Sequence, residues 1–140
     1  MKWFWRLFAI LMVFTCLALL AQEPRTMPQL VVQARYVYVT TYDGAPWSGE
    51  VLSEDRQAVA DVENALQAWG KYIVVYRPGE ADLILVVQRR PSEDVLAVYD
   101  AKVGGSSIPL WRGMGRGGLD SKELPLLTKF RKAVEKAEKG

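Results

Sequence analysis

The chain has 140 residues, of which 50% are hydrophobic, and it carries 18 basic and 16 acidic side chains. This amount of apolar sequence suits one hydrophobic core, so we expect one domain. The sequence contains no histidine and a single cysteine, Cys16, which excludes Ser-His-Asp catalysis and most zinc sites.

The N-terminal segment, residues 1–21, is predicted to be a signal peptide. Two basic residues, Lys2 and Arg6, precede an apolar run over residues 7–20 that carries no charge. A helix that spans a bilayer needs about 20 apolar residues, so this run is short for a membrane anchor. We therefore expect export, followed by cleavage between Ala21 and Gln22.

Three alternatives for this N-terminus stay open. Cleavage after Ala18 also meets the preference of signal peptidase for small residues. Lipidation of Cys16 is the second alternative, and an uncleaved signal that holds the domain at the inner membrane is the third. The expected location is the periplasm or the extracellular space, with a membrane tether if the signal is retained or Cys16 is lipidated.

Removal of residues 1–21 takes away Lys2, Arg6 and Cys16 and leaves 16 basic and 16 acidic side chains. A neutral domain lacks the basic surface that is typical of nucleic-acid-binding proteins, and a domain without cysteine forms no disulfide. We therefore expect no nucleic-acid partner, no metal and no cofactor, and a fold that rests on packing.

The leader, residues 22–29, holds two prolines and no periodicity, so an extended segment is predicted before a single domain over residues 30–140. Residues 30–42 are rich in valine, tyrosine and threonine, which predicts a long first strand. A turn is predicted at residues 43–46. If the edge of the first strand is exposed, it favours self-association with a second copy.

A helix is predicted over residues 53–69. Ser53 is a candidate N-cap, and Glu54 and Asp55 suit the positive end of the helix dipole. Apolar residues recur on one stripe as far as Trp69, and Gly70 follows where a C-terminal cap is expected.

Two apolar runs after this helix, residues 72–77 and 83–88, have the length of strands. Pro78-Gly79 lies between them, which favours a hairpin. Residues 83–87 are apolar on both faces, so this strand is expected at the centre of the sheet.

Two more strands are predicted over residues 95–101 and 108–112. Pro109 suits an edge strand because it donates no backbone hydrogen bond. Residues 113–118 are rich in glycine and are predicted to form a mobile loop.

The C-terminal helix is predicted over residues 126–139, with an apolar stripe on one side and lysines on the other. It starts either at a capping box of Asp120 and Glu123 or with Pro125 in its first turn. The element order β-α-β-β-β-β-α predicts an α+β fold, with two helices packed on one face of a mostly antiparallel four- to five-stranded sheet.

Short motifs in the second half of the chain are typical of one family. They are ALQAWGKY at residues 65–72, ADLILVV at 81–87, VYDAK at 98–102 and LWRG at 110–113, followed by the closing helix. With these motifs, residues 30–140 resemble the bacterial exported domains of unknown function described as periplasmic or outer-membrane lipoprotein-like. The resemblance implies a fold and an export route, and it carries no catalytic residues. Many members begin with a clear lipidated cysteine, which this chain lacks.

The acidic pairs Glu54-Asp55 and Glu93-Asp94 offer the two carboxylates that glycoside hydrolysis requires. A helix N-terminus and a charged loop explain these pairs better, so no catalytic residue is assigned. A small carboxylate-dependent envelope hydrolase is the alternative function.

Aromatic and arginine side chains are the candidate binding residues. The aromatic side chains are predicted to form a platform for sugars or peptidoglycan, or else to pack in the sheet. The arginines border the glycine-rich segment, where an anion site competes with a plain connector. The candidates are Tyr36, Tyr38, Trp47, Trp111, Arg112 and Arg116, with Tyr42 beside them. We predict a non-enzymatic binding or structural domain at the cell envelope, whose partner is a protein, a glycan or a lipid.

Overall fold

The computed structural model describes residues 26–103, 108–120 and 122–140. The predicted signal peptide, Cys16 and residues 22–25 of the leader lie outside the described residues. The fold is α+β, with three helices and a five-stranded mixed sheet. In chain order the elements are α1 (Gln29–Gln33), β1 (Tyr36–Thr41), α2 (Ser53–Trp69), β2 (Ile73–Val75), a short 3-10 turn (Pro78–Glu80), β3 (Leu83–Gln88), β4 (Asp94–Asp100), β5 (Trp111–Gly115) and α3 (Pro125–Lys139).

The strand order in the sheet is β2-β1-β3-β4-β5. β1 pairs in parallel with β2 on one side and with β3 on the other, while β3-β4 and β4-β5 are antiparallel pairs. The prediction of a mostly antiparallel sheet is therefore wrong, and so is the hairpin between residues 72–77 and 83–88. These two strands lie on opposite sides of β1. The prediction failed because hydrophobic periodicity identifies a strand but not its neighbours.

The predicted first strand, residues 30–42, is a helix followed by a shorter strand. α1 occupies Gln29–Gln33, and β1 begins at Tyr36. Val31 is completely buried in the core, and its carbonyl oxygen accepts a hydrogen bond of 2.7 Å from the Tyr72 hydroxyl. Tertiary packing thus overrides the strand preference of the two valines. Since β1 lies between β2 and β3, it has no free edge, so the condition for self-association through that edge is not met, and self-association through another strand edge stays a prediction.

The prediction of α2 is confirmed from Ser53 to Trp69. Gly70 ends the helix in the left-handed conformation, with φ of 79°, and its N–H donates to the carbonyl oxygen of Leu66. The N-cap prediction is wrong, because Ser53 is the first helical residue and no side chain caps the helix. The carboxylate of Asp55 instead binds another part of the chain.

β3 is the central strand, as predicted, and β4 coincides with the predicted strand within one residue. β5 is an edge strand, but it runs from Trp111 to Gly115 and leaves Pro109 outside. The predicted loop over residues 113–118 is therefore half strand. Gly113 is required in this strand because a Cβ atom there would lie 2.7 Å from the Trp111 ring and 3.2 Å from a methyl group of Leu126.

α3 begins with Pro125, which confirms the second of the two predicted starts. Leu124 precedes it with a φ of 42°, a left-handed conformation that is uncommon for a residue other than glycine. The capping-box alternative is wrong, because the helix begins at Pro125 and no side chain caps it. Asp120 instead pairs with Arg89.

One hydrophobic core lies between the helices and one face of the sheet. β1, β3 and β4 contribute alternate residues to it, and Phe130 of α3 is its largest fully buried side chain. The Phe130 ring contacts Trp69, Tyr72 and Trp111 at centroid distances of 6.3, 6.3 and 5.2 Å. This aromatic cluster joins α2, α3 and β5, and within the described residues no helix packs on the opposite face of the sheet.

The close approach at Gly113 predicts the cost of a methyl group there. Gly113→Ala is expected to lower the free energy of unfolding by about 1–3 kcal/mol, because the new Cβ overlaps a packed aromatic ring. Gly79→Ala is the matched control, since no atom lies within 4 Å of its added Cβ, and a change within about 0.5 kcal/mol is expected. Urea unfolding measures both variants, and equal losses would contradict the packing argument.

Asp82 holds the start of β1. Its carboxylate accepts hydrogen bonds of 3.0 Å from the N–H groups of Tyr36 and Arg35. These two bonds, the one from Tyr36 first, lower the pKa of Asp82 below its ordinary value of 3.8.

The depressed pKa of Asp82 predicts a pH dependence of stability. The contribution of the charged form is fully present above pH 3.8 and is lost as the pH falls through the lower folded-state value. At neutral pH, Asp82→Asn is expected to be about 1 kcal/mol less stable than the natural chain. This difference should shrink at acidic pH, and a difference that stays constant in urea titrations from neutral to acidic pH would refute the role of the charge.

Candidate functional site

Two regions bring polar groups together. The first, here called the charged cleft, lies where β1, β3 and β5 end and β4 begins. It has a volume of about 520 Å³. The residues that line it are Leu52, Glu54, Arg89, Arg90, Pro91, Asp94, Arg116, Gly117 and Asp120. In open α/β sheets, the carboxyl ends of parallel strands are a common place for a ligand, so this cleft is the first candidate.

A buried ion pair forms one wall of the charged cleft. Asp55 is 0% exposed, and its carboxylate accepts a hydrogen bond of 2.8 Å from the N–H of Arg89. The Arg90 guanidinium donates to both oxygens of Asp55, at 3.2 and 3.0 Å, and to Asp43 at 2.8 Å. The hydrogen bond to Asp55, the largest cause, raises the pKa of Arg90 above its ordinary value.

Asp94 and Arg89, which also line the charged cleft, bind other groups of the protein as well. Asp94 is 3% exposed and accepts from the N–H groups of Arg90 and Leu119, at 3.2 and 2.9 Å. Arg89 binds Asp120 at 3.1 Å through one terminal nitrogen, while its Nε lies 4.0 Å from Asp94. That Nε is a buried nitrogen without a hydrogen-bond partner among the described residues.

This pairing bears on the carboxylate hydrolase. The two carboxyl groups of such an enzyme must be free to contact the substrate, rather than be held by arginine or backbone N–H donors. Asp55 and Asp94 each accept from such donors, and Asp120 pairs with Arg89. Glu54 also lines the cleft and accepts a hydrogen bond of 3.4 Å from the hydroxyl of Ser53.

The second region, here called the open face, is the side of the sheet opposite the core. Strand register places alternate residues of all five strands on it. They are Tyr36, Tyr38, Thr40, Ile73, Val75, Ile84, Val86, Gln88, Val95, Ala97, Tyr99, Arg112 and Met114. Tyr38, Val86, Val95 and Ala97 are buried in the middle of the open face by their neighbours. The accessible rim includes Tyr36 and Ile73 near one end and Arg112 and Met114 near the other.

A polar corner lies on the open face. The hydroxyl of Tyr42, which follows β1, is 3.4 Å from the hydroxyl of Tyr99 on β4. Burial and then the hydrogen bond to Tyr99 raise the pKa of Tyr42 to about 12, and the positive charge of Arg112 acts in the opposite direction. The Tyr42 hydroxyl therefore stays protonated at neutral pH.

Arg112 differs from the arginines of the charged cleft walls. Among the described residues it forms no ion pair, whereas Arg89 and Arg90 each bind acids. No strand residue of the open face is acidic. The single charge that the strands present on this face is thus a cation without a partner.

The predicted binding residues divide between these regions. Tyr36, Tyr38 and Arg112 lie on the same face of the sheet, the open face, but Tyr36 and Arg112 are near opposite ends of it. Trp111 points to the core, where its ring contacts Phe130, so packing explains it. Trp47 is 72% exposed in the β1-α2 connection, and Arg116 lines the charged cleft.

Two features were not predicted from the sequence: the place of Tyr99 on the open face and the burial of Asp55 as the partner of Arg90. The alternation of β4 places Tyr99 opposite Ile84, and the pairing of β4 with β3 then brings it to Tyr42. The alternation was readable from the sequence, but the pairing partner was not. The burial of Asp55 had one signal, the two arginines that directly follow the apolar strand β3.

The residues that the structure describes contain no group of three acidic, cysteine or histidine side chains placed to hold a metal ion. In the same part of the chain, no helix is both long enough and apolar enough to cross a bilayer.

Comparison of the chain with protein-family models, with curated proteins and with solved structures finds no match.

The buried ion pair predicts a strong dependence of stability on Asp55. Asp55→Ala is expected to lower the free energy of unfolding by about 2–4 kcal/mol, because Arg90 and the N–H of Arg89 lose a buried partner. Asp43→Ala removes the other carboxylate bound to Arg90, but its side chain is 44% exposed, so a loss below about 1 kcal/mol is expected. Urea unfolding compares them, and equal losses would refute the buried pair as the main contribution.

Proposed function

We propose that this protein is an exported, non-enzymatic binding domain of the cell envelope that presents the open face to its ligand. The signal-like N-terminus and the resemblance to exported lipoprotein-like domains support the location. The absence of histidine and the arginine-paired acids of the charged cleft favour binding over catalysis. The hydrolase alternative has less support, because Asp94 and Asp120 of that cleft are held by backbone N–H groups or by Arg89.

The open face carries the proposal. A sheet in a two-layer domain buries one face, and the other is free for solvent or for a partner. Here the free face carries Tyr36, Tyr38, Tyr42 and Tyr99, and the charge of Arg112, which forms no ion pair among the described residues, acts on the hydroxyl of Tyr42. Tyrosine and arginine are enriched in binding surfaces because they combine apolar area with directional polar groups.

The chemistry of the open face favours a glycan as ligand. A tyrosine ring offers a flat apolar surface with a hydroxyl at its end, which matches the apolar face and hydroxyl rim of a sugar ring. Arg112 adds a donor for a carboxylate, as found on acidic sugars. We therefore propose the glycan strands of the cell wall as the ligand class.

The test is co-sedimentation of the protein with purified peptidoglycan sacculi. The double variant Tyr36→Ala, Tyr42→Ala removes the two accessible rings of the open face, and at least about tenfold weaker binding is expected. Tyr76→Ala is the matched control. Tyr76 is also exposed, but it lies after β2 and accepts a hydrogen bond from Gln67 of α2, on the helix side.

The two variants separate the possible outcomes. If the natural chain does not sediment with sacculi, the glycan is the wrong ligand class. Should Tyr76→Ala weaken binding as much as the double variant, the open face is not the binding surface. Circular dichroism and urea unfolding of each variant exclude loss of the fold as the cause of weak binding.

A further inference from the structure

A second concave region lies at the end of β5 opposite the charged cleft. It is a groove of about 660 Å³ between the leader, the start of β5 and the C-terminal half of α3. Its apolar lining includes Met27 from the leader, Ile108 and Leu110 before β5, and Ala133 and Ala137 from α3. Neither the open face nor the charged cleft includes these residues.

The groove has the size and lining of a small-molecule site. Such sites have volumes of about 300–1,000 Å³ and are mostly apolar, with a few polar groups at the rim. Ile108 is 84% exposed beside the groove, a large apolar side chain that the described residues leave uncovered. The small side chains of Ala133 and Ala137 form the α3 wall, so the helix surface recedes there.

The polar rim of the groove is cationic. Lys136 and Arg112 both line it, and neither forms an ion pair with another described residue. The acids of α3 are engaged elsewhere, since Glu135 pairs with Arg131 and Glu138 with Lys71. An apolar groove with unpaired cations at its rim is complementary to a molecule with one apolar chain and one negative charge.

We propose that this groove binds a free single-chain anionic amphiphile of the fatty-acid type. The acyl chain occupies the apolar space between Leu110 and α3, and the carboxylate lies at Lys136. Burial of the acyl chain supplies most of the affinity, because each methylene group removed from water adds to the free energy of binding. The cation at the rim supplies the preference for a negative headgroup.

The test uses three amphiphiles that share one chain and differ in the headgroup: dodecanoate, dodecyl maltoside and dodecyltrimethylammonium. Isothermal titration calorimetry with the full-length chain, below the critical micelle concentration of each compound, measures the affinities. Dodecanoate is expected to bind best, and equal affinities or the absence of binding would overturn the proposal. Binding to phosphatidylglycerol vesicles without binding of dodecanoate would overturn it too, in favour of a bilayer surface.

Two variants locate the site. Ala133→Phe fills the groove on the helix side and is expected to weaken the binding of dodecanoate at least about tenfold. Lys136→Gln is expected to weaken dodecanoate binding while leaving the affinity for dodecyl maltoside unchanged. Lys132→Gln makes the same charge change on the same helix away from the groove lining, so it is the matched control.

Each variant has an outcome that contradicts the site. If Ala133→Phe binds dodecanoate like the natural chain, the chain does not lie in the groove. If Lys132→Gln loses as much affinity as Lys136→Gln, the effect is one of net charge and the assignment of the carboxylate to Lys136 fails. Should Ala133→Phe not fold, Ala137→Leu replaces it as the filling variant.

Discussion

A buried carboxylate needs hydrogen-bond donors from the protein, because water does not reach it. At one end of the sheet, the buried carboxylate is that of Asp55, and the surrounding chain supplies its donors. Its oxygens bind the N–H of Arg89 and the guanidinium of Arg90, so the first turn of α2 is fixed to the β3-β4 connection. The other end of the Arg90 fork reaches Asp43 after β1. Through two ion pairs, Arg90 thus joins the β3-β4 connection to the first turn of α2 and to the segment that follows β1.

The two charged regions of the molecule illustrate how pairing decides chemistry. In the charged cleft, Arg89 and Arg90 pair with acids, whereas Arg116 forms no ion pair among the described residues. On the open face and at the groove, single cations stand beside apolar surface without an acid to neutralise them. A charge beside apolar surface interacts more strongly with an incoming ion than a fully hydrated charge does, because less water screens it. Both proposed ligand sites combine such a cation with apolar surface, and Arg112 belongs to both of them.

Local sequence signals predicted the elements that are marked by their own periodicity or end residues. They failed where contacts with distant parts of the chain decide the structure. α2 with Gly70, the central strand β3 and Pro125 at the start of α3 followed from periodicity and cap chemistry. α1 did not, because Val31 reads as a strand residue until its burial is known. Parallel pairing of β1 with both β2 and β3 also left no local trace. Tyr36, Tyr38 and Tyr42 were predicted singly from the sequence, whereas Tyr99 was not, because only the strand order brings it to Tyr42.

The central position of β1 also affects how the chain acquires its structure. A chain that emerges N-terminus first from a ribosome or a secretion channel presents β1 early, yet both of its partners lie beyond α2 in sequence. Until β2 and β3 have emerged, the apolar side chains of β1 have no sheet to join, and long-range pairings of this kind form slowly. The topology therefore requires the chain as far as β3 before β1 can take its place inside the sheet.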